Sequence, residues 1–576
     1  MEKNISNISF LVVLVFTIYI WLFVGEKDNS YKIIKPVNYD LVIKNGLVYD
    51  GSGQKPFIGD VGIKDDKIEY VGESKYLVSK NIIFANQKAV SPGFINMLSW
   101  AVDDLIIDGR SQGDIRQGVT LEVFGEGVSM GPLNVEMQKN REANGLGVGD
   151  AGYELNWVTL GEYLQFLEDK GVSTNVASFV GATTLRVHQI GYDDRPPTKM
   201  ELDSMKMLVR QAMEEGALGI GSSLIYAPAF YAATDELIEL CKVASEYGGM
   251  YISHIRSEGN RFLESVDELI RISSEANIDA EIYHLKAGGK DNHYKLDMVI
   301  DKVDSARSAG LNITADMYTY TAGATGLDAS MPPWVQEGGY SEWKRRLQDP
   351  DIRAGVINEI NTPTDEWENL YLQAGSAKNI ILIGFANPDL RYLTGKTLDE
   401  ASQILNKDPV ETMIDLVIED GSRVATVYFI MSEENIKKKI ALPWIRFGSD
   451  AGSMTPEGKF LESNTHPRAY GNFARLLGKY VRDEGIIPLE EAIKKLTSNP
   501  AKTLKIKGRG MLKKGYYADI VIFDQNTIQD YATFNQPHQF STGVNHVIVN
   551  GEQVFKYGNH TGATPGRFVK GPGYKD

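Results

Sequence analysis

Residues 250–289, MYISHIRSEGNRFLESVDELIRISSEANIDAEIYHLKAGG, read as one strand, one helix and a second strand. Met250–Ile252 is a short apolar run that ends, after Ser253, at His254. Glu264–Ala276 follows with helical spacing, and Ala280–Tyr283 is a second buried strand that ends at His284, with Lys286 just beyond. The same alternation continues on both sides. Val176–Val180, Leu218–Ile220, Ile313–Ala315 and Ile445–Phe447 read as further buried strands, and Met200–Glu215 and Thr234–Tyr247 as helices between some of them. Repeated strand–helix units imply an α/β protein with a parallel sheet, either doubly wound or closed as a (β/α)8 TIM barrel, here spanning about 93–505. No P-loop motif supports a nucleotide-binding sheet. Residues 330–440 are long and mixed, and read as an insertion or lid.

Outside this region both chain ends read as strands. Tyr39–Tyr49 alternates, turns at Asn45-Gly46 as a hairpin would, and continues. A second pair runs from Gly59–Ile63 to Ile68–Val71, and Ala518–Phe523 and His546–Asn550 follow near the far end. Residues 38–92 and 506–576 thus meet as one small β domain. Ahead of them, Ile8–Val24 is apolar except for Ser9 and Thr17, with no small-x-small cleavage site after it. Residues 1–37 are expected to be a signal or anchor with a short tether, which would put the body outside the cytoplasm, exported or membrane-anchored.

The chain has 576 residues, of which 24% are charged and 43% apolar, as in ordinary globular proteins. That excludes a mostly disordered chain, a fibre and a polytopic membrane protein. Its 60 basic and 76 acidic residues leave a net charge of −16, which argues against nucleic-acid binding. The single cysteine, Cys241, makes no intrachain disulfide and does not report the redox compartment.

In a barrel, side chains at the C-terminal strand ends share one site. Those ends supply Glu126 in Gly125-Glu126-Gly127, His254, His284, Asp316 to Tyr318, and Asp450 in Gly448-Ser449-Asp450. The chain holds eight histidines, and two of them fall on consecutive strand ends. Two imidazoles and a carboxylate suit Zn²⁺ with one position open for water. Asp450 is placed to take a proton from that water. Each group has a plainer alternative: a hydrogen-bonded histidine, a helix-capping Glu126, a solvated Lys286. His188, His293, His538, His546 and His560 are not expected to be ligands, and His466 is open.

Ser91-Pro92-Gly93-Phe94-Ile95-Asn96 resembles the segment that opens the barrel in the amidohydrolase superfamily. Within it, SHIRSEG (253–259), YHLKAGG (283–289), DMYTYTAG (316–323), GSDA (448–451), HPRAYGNFARLLGKYVRD (466–483) and GRGMLKKGYYADIVIFD (508–524) are similar to the N-acyl-D-amino-acid deacylases. The resemblance covers about 38–570. It implies a (β/α)8 barrel with a small β-sandwich from both ends, and zinc-dependent hydrolysis of the amide of an N-acyl-D-amino acid to a carboxylate and a free D-amino acid. It implies His254 and His284 as zinc ligands and Asp450 as the catalytic carboxylate. Lys286, Tyr318 and Arg468 match the residues that hold the substrate α-carboxylate.

Three departures stand out. The superfamily's His-x-His is Leu98-Ser99-Trp100 here, and neither Leu nor Trp binds a metal. The family's cysteine ligand is missing, and Glu126 is its natural replacement, giving a Glu126/His254/His284 site for one zinc. Ala324 stands where the family has a serine. Two further readings stay open: a hydrolase of another amide, cyclic or in a D-residue-containing peptide, and a non-catalytic binding protein that has lost its metal. The expected partner is a small-molecule N-acylated amino acid substrate, with membrane contact only through the N-terminal segment.

Overall fold

The computed structural model describes residues 38–73, 77–144 and 155–575. The apolar run Ile8–Val24 lies outside them. Among the described residues no helix is long and apolar enough to cross a membrane.

Eight short parallel stretches of sheet occupy the centre. Phe94–Asn96, Val119–Phe124 and Asn175–Ser178 pair in that order. After Phe179 the third continues as Val180–Gly181 and pairs in turn with Gly219–Ser223, Met250–His254, Asp279–Ile282, Ile313–Met317 and Ile445–Phe447. The last strand meets the first: Met97 N–H donates to Phe447 O at 3.1 Å, and Ser99 bridges Ala451 in parallel. Helices such as Lys199–Glu215, Thr234–Glu246 and Phe262–Ala276 connect the strands.

Nearly every strand residue is buried, which is why these strands are continuous apolar runs. Period-two alternation still sorts the two faces. Tyr251 packs outward with the helices, whereas Met250 and Ile252 share an inner cluster with Ile95, Leu121 and Phe179. His254 therefore ends its strand on the inner face.

Strands from both chain ends interleave in a nine-stranded sheet. Its centre is Ile520–Phe523, antiparallel to both Ala89–Pro92 and Val544–Val549. The expected hairpin at Asn45-Gly46 is not one. Leu41–Val48 is a single strand paired with Phe57–Lys64, and Asn45, at φ 53°, makes a bulge within it. The Asn45 N–H donates to the buried Asp60 carboxylate at 3.0 Å, and a Cβ at Gly46 would lie 2.4 Å from Val90.

Between Ile313–Met317 and Ile445–Phe447, Gly323–Gly326, Ala425–Tyr428 and Ile380–Gly384 form a separate antiparallel sheet in that order. Helices including Tyr340–Gln348, Pro350–Asn361 and Pro409–Asp420 pack on it around a second apolar core.

Candidate metal centre and active site

Glu126 follows the second strand between Gly125 at φ 107° and Gly127 at φ 71°. A side chain at 125 would meet Phe179 O at 2.4 Å, and one at 127 would meet Ser223 at 2.5 Å. Only glycines let the chain turn here this close to the next strands. The turn directs Glu126 into the buried centre rather than onto a helix end. His284 lies beyond its strand, where strict alternation would aim it outward with Ala280 and Ile282. Its left-handed φ of 34° breaks that alternation, and its N–H donates to the buried Asp316 carboxylate at 2.9 Å.

The three groups converge on one carboxylate oxygen. Glu126 Oε1 is 3.0 Å from His254 Nδ1 and 2.9 Å from His284 Nε2. All three ligand atoms lie within 4.8 Å of one another, and all three residues are buried. Tetrahedral zinc with bonds of ~2.0–2.1 Å separates its ligand atoms by roughly 3.3 Å, so small shifts would seat an ion here. An oxygen and two imidazole nitrogens are also the right donor chemistry.

The charges are arranged to match. Burial alone would raise the Glu126 carboxyl, but His284 and His254 beside it hold it well below the usual range. Burial would depress His254, but Glu258 and Glu126 outweigh that and push it up to about 9. The proton on His254 Nδ1 occupies a nitrogen that a metal would take, so metal and proton compete there.

Behind the histidines sits Glu258, which was not among the sequence candidates. It lies 3.4 Å from His254 Nε2 and 3.1 Å from His284 Nδ1, on the nitrogens facing away from Glu126. It also binds Lys286 Nζ through both oxygens, at 2.6 and 2.8 Å. Lys286, His254 and His284 together hold Glu258 well below its usual range against the opposing effect of burial. Lys286 is therefore buried and already neutralised, neither a solvated charge nor a free one. The one signal in the sequence was a carboxylate four residues after His254.

On the other side stands Asp450, also left-handed at φ 51°, with its N–H on Leu98 O at 2.8 Å. Burial raises its carboxyl, Arg468 works against this, and Glu126 adds to it. Arg468 Nη1 lies 2.8 Å from Asp450 Oδ2, and the guanidinium sits 4.4 Å from the centre of the Tyr318 ring. Arg468 Nε and Tyr318 OH are buried donors without a hydrogen-bond partner. Trp100 Nε1–H donates both to Glu126 Oε2 at 3.0 Å and to Asp450 Oδ1 at 3.2 Å. His466 is no ligand: Nε2–H donates to Ala322 O at 2.9 Å, and Nδ1 accepts from Arg468 N–H at 3.0 Å. The structure thus brings Glu126, His254, His284, Lys286, Tyr318, Asp450 and Arg468 into one buried cluster.

A model of the amidohydrolase family matches residues 338–555. The chain is 30% identical to the D-aminoacylase of Alcaligenes xylosoxydans xylosoxydans over 532 residues, 92% of this chain and 97% of that one. The chain belongs to the D-aminoacylase family of amidohydrolases. A solved D-aminoacylase structure, described for its binuclear metal centre with one-metal activation and second-metal attenuation, superposes with TM-score 0.76. It is 28% identical and covers 92% of this chain and all of its own. The N-acyl-D-glutamate deacylase of Bordetella bronchiseptica, solved with zinc and a phosphonate mimic of the tetrahedral intermediate, also superposes at 0.76, with 26% identity over 92% of this chain.

Proposed function

We propose that the protein is a zinc-dependent hydrolase that cleaves the amide of N-acyl-D-amino acids to a carboxylate and a free D-amino acid. The observation that carries this is one cluster holding both the Glu126/His254/His284 donor set and two unsatisfied donors for an anion. A buried donor without a partner is destabilising unless something else satisfies it. Arg468 Nε and Tyr318 OH would receive the substrate α-carboxylate, and Lys286 keeps Glu258 behind the histidines. A cyclic imide has no carboxylate for these donors. The family relationship, with relatives named for D-amino-acid deacylation, supports the same substrate class.

Glu126, His254 and His284 would hold the metal. When bound, zinc there polarises the acyl carbonyl and acidifies a water molecule. Asp450 accepts the water proton through its carboxylate and returns it to the departing amine. Arg468 opposes the effect of burial on that carboxylate, and Trp100 donates to its second oxygen.

We further read the eight parallel stretches, with Phe447 bonded back to Met97, as a closed (β/α)8 barrel. The terminal sheet corresponds to the β-sandwich, and the separate sheet between Met317 and Ile445 to an inserted lid. The Ile8–Val24 run alone supports an exported chain; fractionation of tagged full-length protein tests that.

The decisive experiment uses protein purified without chelator. Metal content is measured, and amine release is followed on paired N-acetyl-D- and N-acetyl-L-amino acids. About one zinc per chain and release from D-substrates are expected, both lost in His254→Ala. Zinc-loaded protein that releases no amine from any D-substrate would overturn the proposal.

A further inference from the structure

Glu126 has two oxygens with different surroundings. Oε1 faces the two histidines, and Oε2 faces Asp450 across the Trp100 indole. Two buried carboxylates side by side repel unless something positive lies between them. In this chain the group between them is a neutral N–H, shared at 3.0 and 3.2 Å. Indole nitrogen is a donor only and cannot ligate a cation.

The indole is also held firmly in place. Trp100 N–H donates to Ala451 O at 2.9 Å, and Ser99 N–H to Val123 O at 2.8 Å. Ser99 Oγ donates to the buried Glu122 at 2.7 Å. The segment is thereby clamped between the second and last parallel strands. Leu98 is fully buried in the inner core and so close to Gly448 that a Cβ there would lie 2.8 Å from it. Neither residue offers a ligand atom, and Trp100 packs against the same inner cluster as Leu98.

We propose that the Trp100 indole takes the place of a second cation between Glu126 and Asp450, limiting the centre to one metal ion and positioning Asp450 without another. Trp100 is thus a positioning residue, and the inference rests on the metal site proposed above.

Zinc binding to apo-protein, measured by calorimetry and by metal analysis after gel filtration, reads the first half without substrate. Wild type is expected to bind one equivalent up to tenfold excess zinc, and Leu98→His/Trp100→His two. Two equivalents in wild type overturn this inference alone. None in wild type overturns the metal site and this inference with it. A folded double variant that still binds one equivalent overturns the role of Leu98 and Trp100 in exclusion. Trp100→Phe keeps the ring but removes the donor, and reads the second half. It is expected to bind one zinc, keep KM within about twofold, and lose on the order of 10- to 100-fold in kcat, as slight misplacement of a reacting group does. Wild-type kcat in Trp100→Phe overturns the positioning role.

Discussion

Arg468–Asp450 and Arg509–Asp519 are both buried ion pairs whose arginine lies over a tyrosine ring, at 4.4 Å from Tyr318 and 4.1 Å from Tyr517. They differ in what is left over. In the terminal sheet, Arg509 Nη2 donates to Asn550 Oδ1 at 2.9 Å, and Asp519 accepts from Asn550 N–H at 2.9 Å as well as from Arg509. That pair ties residues preceding Ile520–Phe523 to the turn after Val544–Val549. At the strand ends, Arg468 has one close contact with Asp450, and its Nε is buried without a partner. The same chemistry thus serves as a closed clamp in one place and is left open in the other. Groups left open inside a protein are destabilising on their own, so their presence points to a ligand.

The comparison is tested most severely by matched substitutions. Asp450→Asn should lower kcat by roughly 10³-fold or more while zinc content stays near wild type, because it removes a proton acceptor from the reaction and no metal ligand. Near-normal turnover would remove Asp450 from the chemistry. Asp519→Ala should do the reverse. It strands a buried guanidinium, which typically costs about 3–5 kcal/mol. Denaturant unfolding should show that loss, with kcat of the folded fraction unchanged. A stable Asp519→Ala would mean that this pair is no clamp.

Arg468→Ala is the intermediate case. It removes the proposed carboxylate donor and also the partner of Asp450. KM for N-acyl-D-amino acids should rise on the order of 10- to 100-fold, in keeping with loss of a charged hydrogen bond. Because Asp450 would then lose its counter-charge, kcat should fall as well. An unchanged KM would separate Arg468 from substrate and leave it only as a guard of Asp450.

The sequence made part of this legible. His254, His284, Asp450 and Tyr318 follow buried apolar strands, where chain position alone indicates a shared end. Glu126 was marked by its flanking glycines. What could not be read depends on how loops return. Glu258 sits four residues after His254 in a loop, and no periodicity says that it comes back under both imidazoles. Lys286 was visible as a site residue, but its neutralisation by Glu258 was not. Trp100 was legible as a non-ligand; its bridge between two carboxylates appears only once the first and last strands are adjacent. Asn45-Gly46 misled for the opposite reason. The dipeptide is a strong local hairpin signal, and the long-range bond from Asn45 to Asp60 converts it to a bulge.

The smallest expected effect lies in the terminal sheet. His546 is buried there, opposite Lys556 in the strand pairing. Burial first, and Lys556 second, lower its pKa from the ordinary 6.5 to about 4. Its Nδ1 accepts a hydrogen bond from Gln553 Nε2 at 2.7 Å, so protonation would set one N–H against another. The folded-state value lies below the unfolded one, so the unfolded chain binds the proton more readily as pH falls from 6.5 to 4. Stability from this group is present above pH 6.5, declines through that window, and is flat below about 4. His546→Gln cannot titrate. The melting temperature of wild type should therefore fall roughly one to two degrees further than that of His546→Gln between pH 7.5 and pH 5, about 2 kcal/mol at this site. Equal falls would mean that His546 is protonated in the folded sheet, and the terminal sheet would then hold a charge as unmatched as those at the strand ends.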